Sequence, residues 1–300
     1  MPPPDLAATP QIRSRKPVVA IIAPVRQEAA SLIEWIAYHR AQGISVFILA
    51  DNGGDDGTSE LLVNLNRCGV IIRQNWLGAK SFQLRFYQSA WAVARHWVDG
   101  AFIIDADEYL RPTVSGATAG QLATRWLADT RIGAVAINWA IYGSSGRTEP
   151  GDGLVIERFT RRATRTFAVN RHVKTFVRAS NWVGLVGNPH AVKVSPGRYV
   201  TTAMEDVRWD MREHAFGITK GVVWKDLRID HFVTKSRVEF EQKRRRGDAL
   251  PYSGESEQER RWETYFNRHD HNDVSDPMPQ ALVEKTKAEM ARLQAALAAT

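Results

Sequence analysis

Ala101-Phe102-Ile103-Ile104-Asp105-Ala106-Asp107-Glu108-Tyr109-Leu110 sets a short apolar run directly before three carboxylates. The run reads as a buried strand. Three carboxylates within four residues repel one another unless a cation or hydrogen-bond donors offset the charge. A hard divalent ion such as Mg²⁺ or Mn²⁺ takes oxygen ligands from one or two carboxylates and from substrate phosphates. The segment is therefore either a metal-diphosphate site built on Asp105 and Asp107 or an acidic turn opening the next element. A bare Asp-x-Asp is common by chance, so its neighbours decide between the two.

Upstream, apolar runs alternate with helical patterns. Val18 to Ala23, Val46 to Ala50 and Val70 to Ile72 read as buried strands. Between them Ser31 and Glu34 have the spacing of a capping box, Leu32 and Ile36 share a helix face, and Gly43 is a stop. A second helix carries Leu61, Leu62 and Leu65, and a longer one runs from Phe82 to Trp97. Strand-helix-strand spacing of this kind favours a parallel sheet with right-handed crossovers. Ligands of such sheets sit beyond the carboxyl ends of the strands. The loops after Ala23, Ala50 and Ile104 would then face one crevice.

The second half is less regular. Ala134 to Ile137 is a strand leading into Trp139 to Tyr142, and Gly143 to Gly153 is a Gly-rich loop. Val155-Ile156, Val173 to Val177, Ala191 to Val194 and Val222 to Val233 hold further strand candidates. Ser236 to Arg246 reads as a helix, Pro251 to Asp276 as polar and irregular, and Ala281 to Leu297 as a helix. Leu282, Met290, Leu293 and Leu297 lie near one face of that last helix, for which packing on the body is the default.

Composition narrows the function classes. Of 300 residues, 44% are hydrophobic and ten are Trp, enough for a substantial core. Cys68 is the single cysteine, which excludes an internal disulfide and makes a Cys-based zinc site implausible. No apolar run approaches the roughly 18–20 residues that span a bilayer. Met1 to Lys16 is rich in Pro and Arg without an apolar core, so the expectation is a cytoplasmic protein with a frayed leader rather than a secretory signal. The net charge of +7 gathers at Arg158 to Arg165 and Lys243 to Arg246. These groups suit a diphosphate, a polyanion or anionic lipid heads, or form a solvated basic surface. No nucleic-acid-binding signature is present.

Other residues could carry chemistry at the expected crevice. Asp51-Asn52 ends the second strand, where a carboxylate could accept bonds from a ribose or base; taken alone, ordinary turn chemistry explains it more readily. Glu28 closes the first loop, Pro24-Val25-Arg26-Gln27-Glu28, or simply biases a helix N-terminus. His231 ends a strand and could be a third metal ligand, although a lone His is more often structural. His269 and His271 lie in a tract read as a solvated loop.

Taken together, the segments resemble the family 2-like glycosyltransferases with a GT-A fold, in particular bacterial proteins similar to family 92. The resemblance runs from about Val18 to Gly247. Glu34-Trp35 and Tyr38-His39 match an E-W-x-x-Y-H helix that follows an acidic residue, here Glu28. Asp51-Asn52-Gly53 and Asp55-Asp56-Gly57-Thr58 match a D-N-x-S-x-D-G-T loop, with Gly53-Gly54 departing slightly. Gln83 and Tyr87 sit where the family has a Gln on the helix before the acidic motif. Asp105 to Leu110 is close to D-A-D-E-F-L. Tyr142 to Gly146, Gly153 to Phe159, Val173 to Arg178, Asn188-Pro189-His190, and Asp230 to Gly247 also look like family segments.

The resemblance implies a transfer from a UDP- or GDP-linked sugar to a glycan or other hydroxyl acceptor, inverting and dependent on Mn²⁺ or Mg²⁺, in surface polysaccharide assembly. It implies an α/β fold: a Rossmann-like, mostly parallel sheet with helices on both faces and a C-terminal helical extension. A leader (1–16) would precede a nucleotide-binding half (17–112) and an acceptor half (113–250), with a polar linker and helix at 251–300. Pro24, Val25, Arg26, Glu28, Asp51, Asn52 and Gln83 would hold the nucleotide. Asp105, Asp107 and His231 would bind metal, with Asp105 also on ribose or phosphates. Lys235 or Arg246 would neutralise diphosphate charge. Glu149, Asp152 and Glu157 are the candidates for the base, Glu157 being as readily an ion-pair partner of Arg158 or Arg161. The protein would act in the cytoplasm or at the inner face of the membrane. Two rivals remain. A phosphatase-like Asp-x-Asp enzyme expects Thr where Tyr109 stands, and a nucleotidyltransferase expects Gly in the first loop. A polyanion-binding scaffold on a degenerate transferase fold is the alternative from another class.

Overall fold

The computed structural model describes residues 15–211, 216–245 and 255–299. Most of the expected leader, and Arg246-Gly247, lie outside the described residues.

The chain begins β1 (Val19–Val25), α1 (Ala29–Ala41), β2 (Val46–Asp51), α2 (Thr58–Arg67), β3 (Ile72–Asn75), α3 (Gln83–Ala94), β4 (Gly100–Ile103). After the acidic turn come β5 (Glu108–Pro112), α4 (Ala119–Ala128), β6 (Ile132–Ile141), the single turn α5 (Val155–Arg158) and β7 (Arg161–Arg162). Then follow β8 (Val173–Arg178), β9 (Trp182–Leu185), β10 (Val192–Val194), β11 (Arg198–Thr201), β12 (Leu227–His231), α6 (Arg237–Arg245), α7 (Glu255–His269), β13 (Val274–Ser275) and α8 (Gln280–Ala298).

The main sheet runs β3-β2-β1-β4-β8-β6-β12-β5, with β11 also on β6. β1, β2, β3 and β4 pair in parallel, β8 runs against both β4 and β6, and β12 is parallel to β6. Alternation along β1 divides the core in two. Ile21, Ala23 and Val25 join α1, α2, α4 and α8 on one face, while Ala20 and Ile22 meet α3 on the other. A strand covered on both faces must be apolar throughout, which is why these strands read as continuous runs. The fold is thus α/β, its sheet mostly parallel, with helices on both faces and a C-terminal helix.

α8 lies against α1, and its Leu282, Val283, Met290, Leu293 and Leu297 join the core. Covered by the sheet inside and α8 outside, α1 is buried almost all round.

Four sequence expectations change. α1 starts at Ala29, so Ser31 is not its N-cap; Ser31 Oγ instead donates to Glu28. Val155-Ile156 is a helical turn and not a strand. β3 starts two residues later than expected, because Val70 and Ile71 are spent plugging the core ahead of it. The polar stretch before Asp276 contains α7, on whose last turn His269 is buried and stacked on Tyr265, with its pKa lowered by burial to about 4. His269 therefore does not lie in a solvated loop.

Candidate active site

The carboxyl ends of β1, β2, β4, β6 and β12 share one edge of the sheet. Two loops there are knitted together. Thr58 Oγ1 accepts from the Glu28 amide at 2.8 Å, and Asp56 accepts from the amides of Ala29 and Thr58. Gly54 sits at φ 150°, and a Cβ there would come within 2.7 Å of Gln27 Cγ, so the second glycine of the loop is a steric requirement.

The acidic turn is closed on itself. Glu108 N–H donates to the Asp105 carbonyl, and the Glu108 carboxyl accepts from the Asp105 amide at 2.8 Å. α1 then holds β5 as a rack. Trp35 Nε1 donates to the Glu108 carbonyl, Tyr38 donates to the Leu110 carbonyl, and Leu110 N–H donates to His39 Nε2. Glu34, the first residue of the same pattern, accepts from the amides of Val155 and Ile156 at 2.8 and 3.1 Å and so fixes α5. The spacing that suggested a capping box serves a distant helix instead.

Each aspartate of the turn meets its own lysine. Asp105 accepts from Lys174 at 2.7 Å, and its other oxygen from Gln83 at 3.1 Å and Tyr87 at 3.4 Å. Lys174 lies inside β8 with none of its side chain exposed. Burial would lower its pKa, but Asp105 and Glu108 outweigh that and hold it charged. Asp107 accepts from Lys243 of α6 at 2.6 Å and faces His231 Nε2 at 3.4 Å. Burial would raise the Asp107 pKa; Lys243 and His231 instead hold it well below the usual range. Glu108 goes the other way. Burial pushes it well up despite Lys174, and the charges of Asp105 and Asp107 add to the rise. Of the three acids, Asp107 is therefore the anion that faces a cleft, and Glu108 is a structural group whose charged form burial disfavours.

That cleft has a volume of about 390 Å³ and is bordered by Glu28, Asp107, Lys235, Lys243 and Arg245. Lys235 reaches Glu28 at 3.2 Å and Ser31 at 3.1 Å. Burial would lower its pKa, and Glu28, Asp107 and Glu239 raise it overall. Glu239 closes the wall by a two-armed pair with Arg158, both contacts 2.9 Å.

The glycosyltransferase family 92 model matches residues 16–243. The chain belongs to this family. A family 92 protein of Oryza sativa subsp. japonica is 30% identical over 162 residues, covering 53% of this chain. The chain spans 26% of that relative's length. Among solved structures, S. aureus TarS 1-349 in complex with UDP-GlcNAc is similar at TM-score 0.35 and 12% identity, over 54% of this chain and 45% of that one. Glucosyl-3-phosphoglycerate synthase from Mycobacterium tuberculosis is similar at TM-score 0.32 and 11% identity, over 55% and 57%. Family membership rests on the sequence match and not on these distant shapes.

Within this family 92 chain, the remaining candidates divide sharply. Val25 is core, Pro24 is half-buried and Arg26 is exposed. Asp51 is fully buried and accepts from Arg73, Ser59 and the Gly53 amide. Asn52 donates to the Trp76 and Ala79 carbonyls and so shapes the next turn. Glu157 pairs with neither Arg158 nor Arg161. It binds Lys287 of α8 at 2.6 Å, which lowers its pKa against burial. Glu149 and Asp152 are exposed in the loop before α5. Sequence reasoning gave no role to Lys174 or Arg73. The available signal for Lys174 was a lone cation inside the apolar run Val173 to Val177.

A divalent ion would find one carboxylate and one imidazole side by side in Asp107 and His231. The buried His231 Nδ1 has no hydrogen-bond partner among the described residues. Asp105 is not drawn into that pair: no group of three or more acidic, His or Cys side chains able to hold a metal occurs among the described residues. Two protein ligands suit Mg²⁺ or Mn²⁺ only when substrate oxygens complete the shell.

Proposed function

We propose that this chain transfers a sugar, of hexosyl type, from a UDP- or GDP-linked donor to a hydroxyl acceptor at the cleft around Asp107. The observation that carries the reading is the grouping of Asp107, Lys235 and Lys243 around one cleft, with His231 beside Asp107, in a family 92 chain. An anion beside two lysines and an imidazole suits a diphosphate that arrives with its own cation. Lys243 would exchange Asp107 for a phosphate oxygen, and Lys235 would neutralise the remaining diphosphate charge. Asp107 and His231 would hold Mn²⁺ or Mg²⁺, which when bound acts as a Lewis acid on the leaving diphosphate. Asp105, kept in place by Lys174, Gln83 and Tyr87, would accept from the ribose or orient phosphates. Glu28, Asp51 and Asn52 would order the nucleoside loops more than touch the base.

Inversion requires a base for the acceptor hydroxyl. Glu149 and Asp152 are the exposed candidates; the Lys287 pair makes Glu157 a positioning group for α8. We divide the chain into a nucleotide-binding half (17–112), an acceptor half (113–250) and a C-terminal extension (251–300). The setting we infer is cytoplasmic, at or near the inner membrane face, in polysaccharide assembly. No helix among the described residues is long and apolar enough to cross a membrane.

The test is thermal unfolding with nucleoside diphosphates. UDP or GDP is expected to raise the melting temperature only with Mn²⁺ or Mg²⁺ present, and Asp107→Ala to remove the rise while leaving the fold intact. A shift that ignores metal, or none with either nucleotide, overturns the proposal. Salt-sensitive polyanion binding that survives Asp107→Ala would favour the scaffold reading instead.

A further inference from the structure

β5 and β12 pair antiparallel, with Glu108 opposite His231 at the cleft and Pro112 opposite Leu227 at the far end. A second cavity, of about 550 Å³, opens at that far end. Arg111 and Arg228 line it, with Gln42 from the end of α1, the turn 112–118, and Lys285 from α8.

The charges beside this cavity do not cancel. Arg111, Arg162 and Arg228 share two carboxylates, Asp230 and Asp276. Asp230 is fully buried and Arg228 is only 6% exposed, so one positive charge is in excess in a poorly solvated place. Arg228 donates through Nε to Asp230 and through Nη2 to Tyr142, Asp230 and Asp276. Its Nη1 donates to no described residue, and it is not among the sealed polar atoms without a partner. The open edge of a nearly buried guanidinium therefore belongs to a residue that lines the cavity. Lys285 has no ion-pair partner among the described residues and adds a second cation.

We propose that this cavity binds a small molecule through a phosphate or carboxylate group, with Arg228 and Lys285 as its recognition groups. A buried surplus cation is costly, and an oxyanion offsets it. A guanidinium edge matches the oxygens of either group in geometry and charge. The volume exceeds what an inorganic anion fills and suits a small organic ligand. The site is separate from the Asp107 cleft, so its occupant is distinct from the donor nucleotide.

The experiment is calorimetric titration of the full chain with inorganic phosphate and, separately, acetate, at constant ionic strength. It is done in a Lys243→Ala background so that the cleft contributes little. Saturable binding of at least one anion is expected, and which one binds tells a phosphate ester from a carboxylate. Lys285→Glu is expected to weaken it roughly tenfold. Lys193→Glu, which makes the same charge change at an exposed lysine of β10 away from the cavity, is expected to leave it unchanged. No binding of either anion at millimolar concentration, or equal weakening by both reversals, overturns the proposal. No nucleotide sugar is used, so the result stands apart from the transferase reading.

Discussion

Both ends of the β5–β12 ribbon pair acids with bases, and they do it differently. At the cleft end, Asp105 and Asp107 each meet a lysine from a different element, β8 or α6. At the far end, guanidiniums grip aspartates through several contacts at once: Arg111 alone bonds Asp230, Asp276, Tyr142 and the Pro277 carbonyl. A lysine is a point charge on a flexible stem, whereas an arginine fork is fixed in plane. The lysine end can trade partners when a ligand arrives. The arginine end ties the segment before α8 to the sheet and does not let go. Charge that moves sits at the cleft, and charge that stays sits where the C-terminal extension is fastened.

The largest expected effect comes from breaking the fixed end. Asp230→Ala leaves Arg111 and Arg228 with only Asp276, and removing one partner of a buried pair costs about 3–5 kcal/mol. Urea unfolding should show that loss, while transferase activity per folded molecule stays close to that of the parent. A loss below about 1 kcal/mol would mean the far end is no firmer than a surface pair. The next effect sharpens the cleft end, where the two lysines differ. Lys174 is wholly enclosed and Lys243 is 22% exposed. Lys174→Met should destabilise by roughly 3 kcal/mol, because Asp105 loses its buried counter-charge. Lys243→Ala should cost under about 1 kcal/mol yet weaken nucleoside diphosphate binding roughly tenfold. Equal stability losses would erase the distinction between a structural and an exchangeable lysine.

The contrast also explains what the sequence could reveal. The buried strands of the first half were legible because continuous apolar runs have few alternative uses. The acidic turn was legible because three carboxylates are hard to bury for nothing. Pairing across the chain was not. Glu34 has capping-box spacing from Ser31, but its partners are amides more than a hundred residues away. Glu157 resembled a base, and only α8 brings Lys287 to it. α7 was missed because its sequence is polar and its apolar contacts are few and aromatic, Phe240 against Trp262 and Phe266. Lys174 was overlooked for the opposite reason: a strand context argues against a charge unless its partner is already known.

Between the two charged ends, β5 is held by neutral groups, and a pH experiment reads them. His39 Nδ1 donates to the Trp35 carbonyl and Nε2 accepts from Leu110 N–H, which fixes a single neutral tautomer. Burial lowers its pKa from 6.5 to about 3, so the stability it supports is full above 6.5 and lost as pH falls from there toward 3. Glu34, five residues earlier on α1, works in the opposite sense. Burial, opposed by the Val155 and Ile156 amides, pushes it from 4.5 up to about 7, so its contribution is full below 4.5 and lost as pH rises toward 7. Other buried groups, His269 among them, also titrate across pH 7 to 5.5, so each variant is read against the parent. His39→Gln removes a loss and should gain about 1 kcal/mol over that interval relative to the parent. Glu34→Gln removes a gain and should lose about 1 kcal/mol relative to the parent. Urea unfolding at the two pH values measures both slopes. Slopes that depart from the parent's in the same direction in the two variants would show that α1 does not hold one group neutral against each titration, and that the middle of the ribbon is more open to water than its ends.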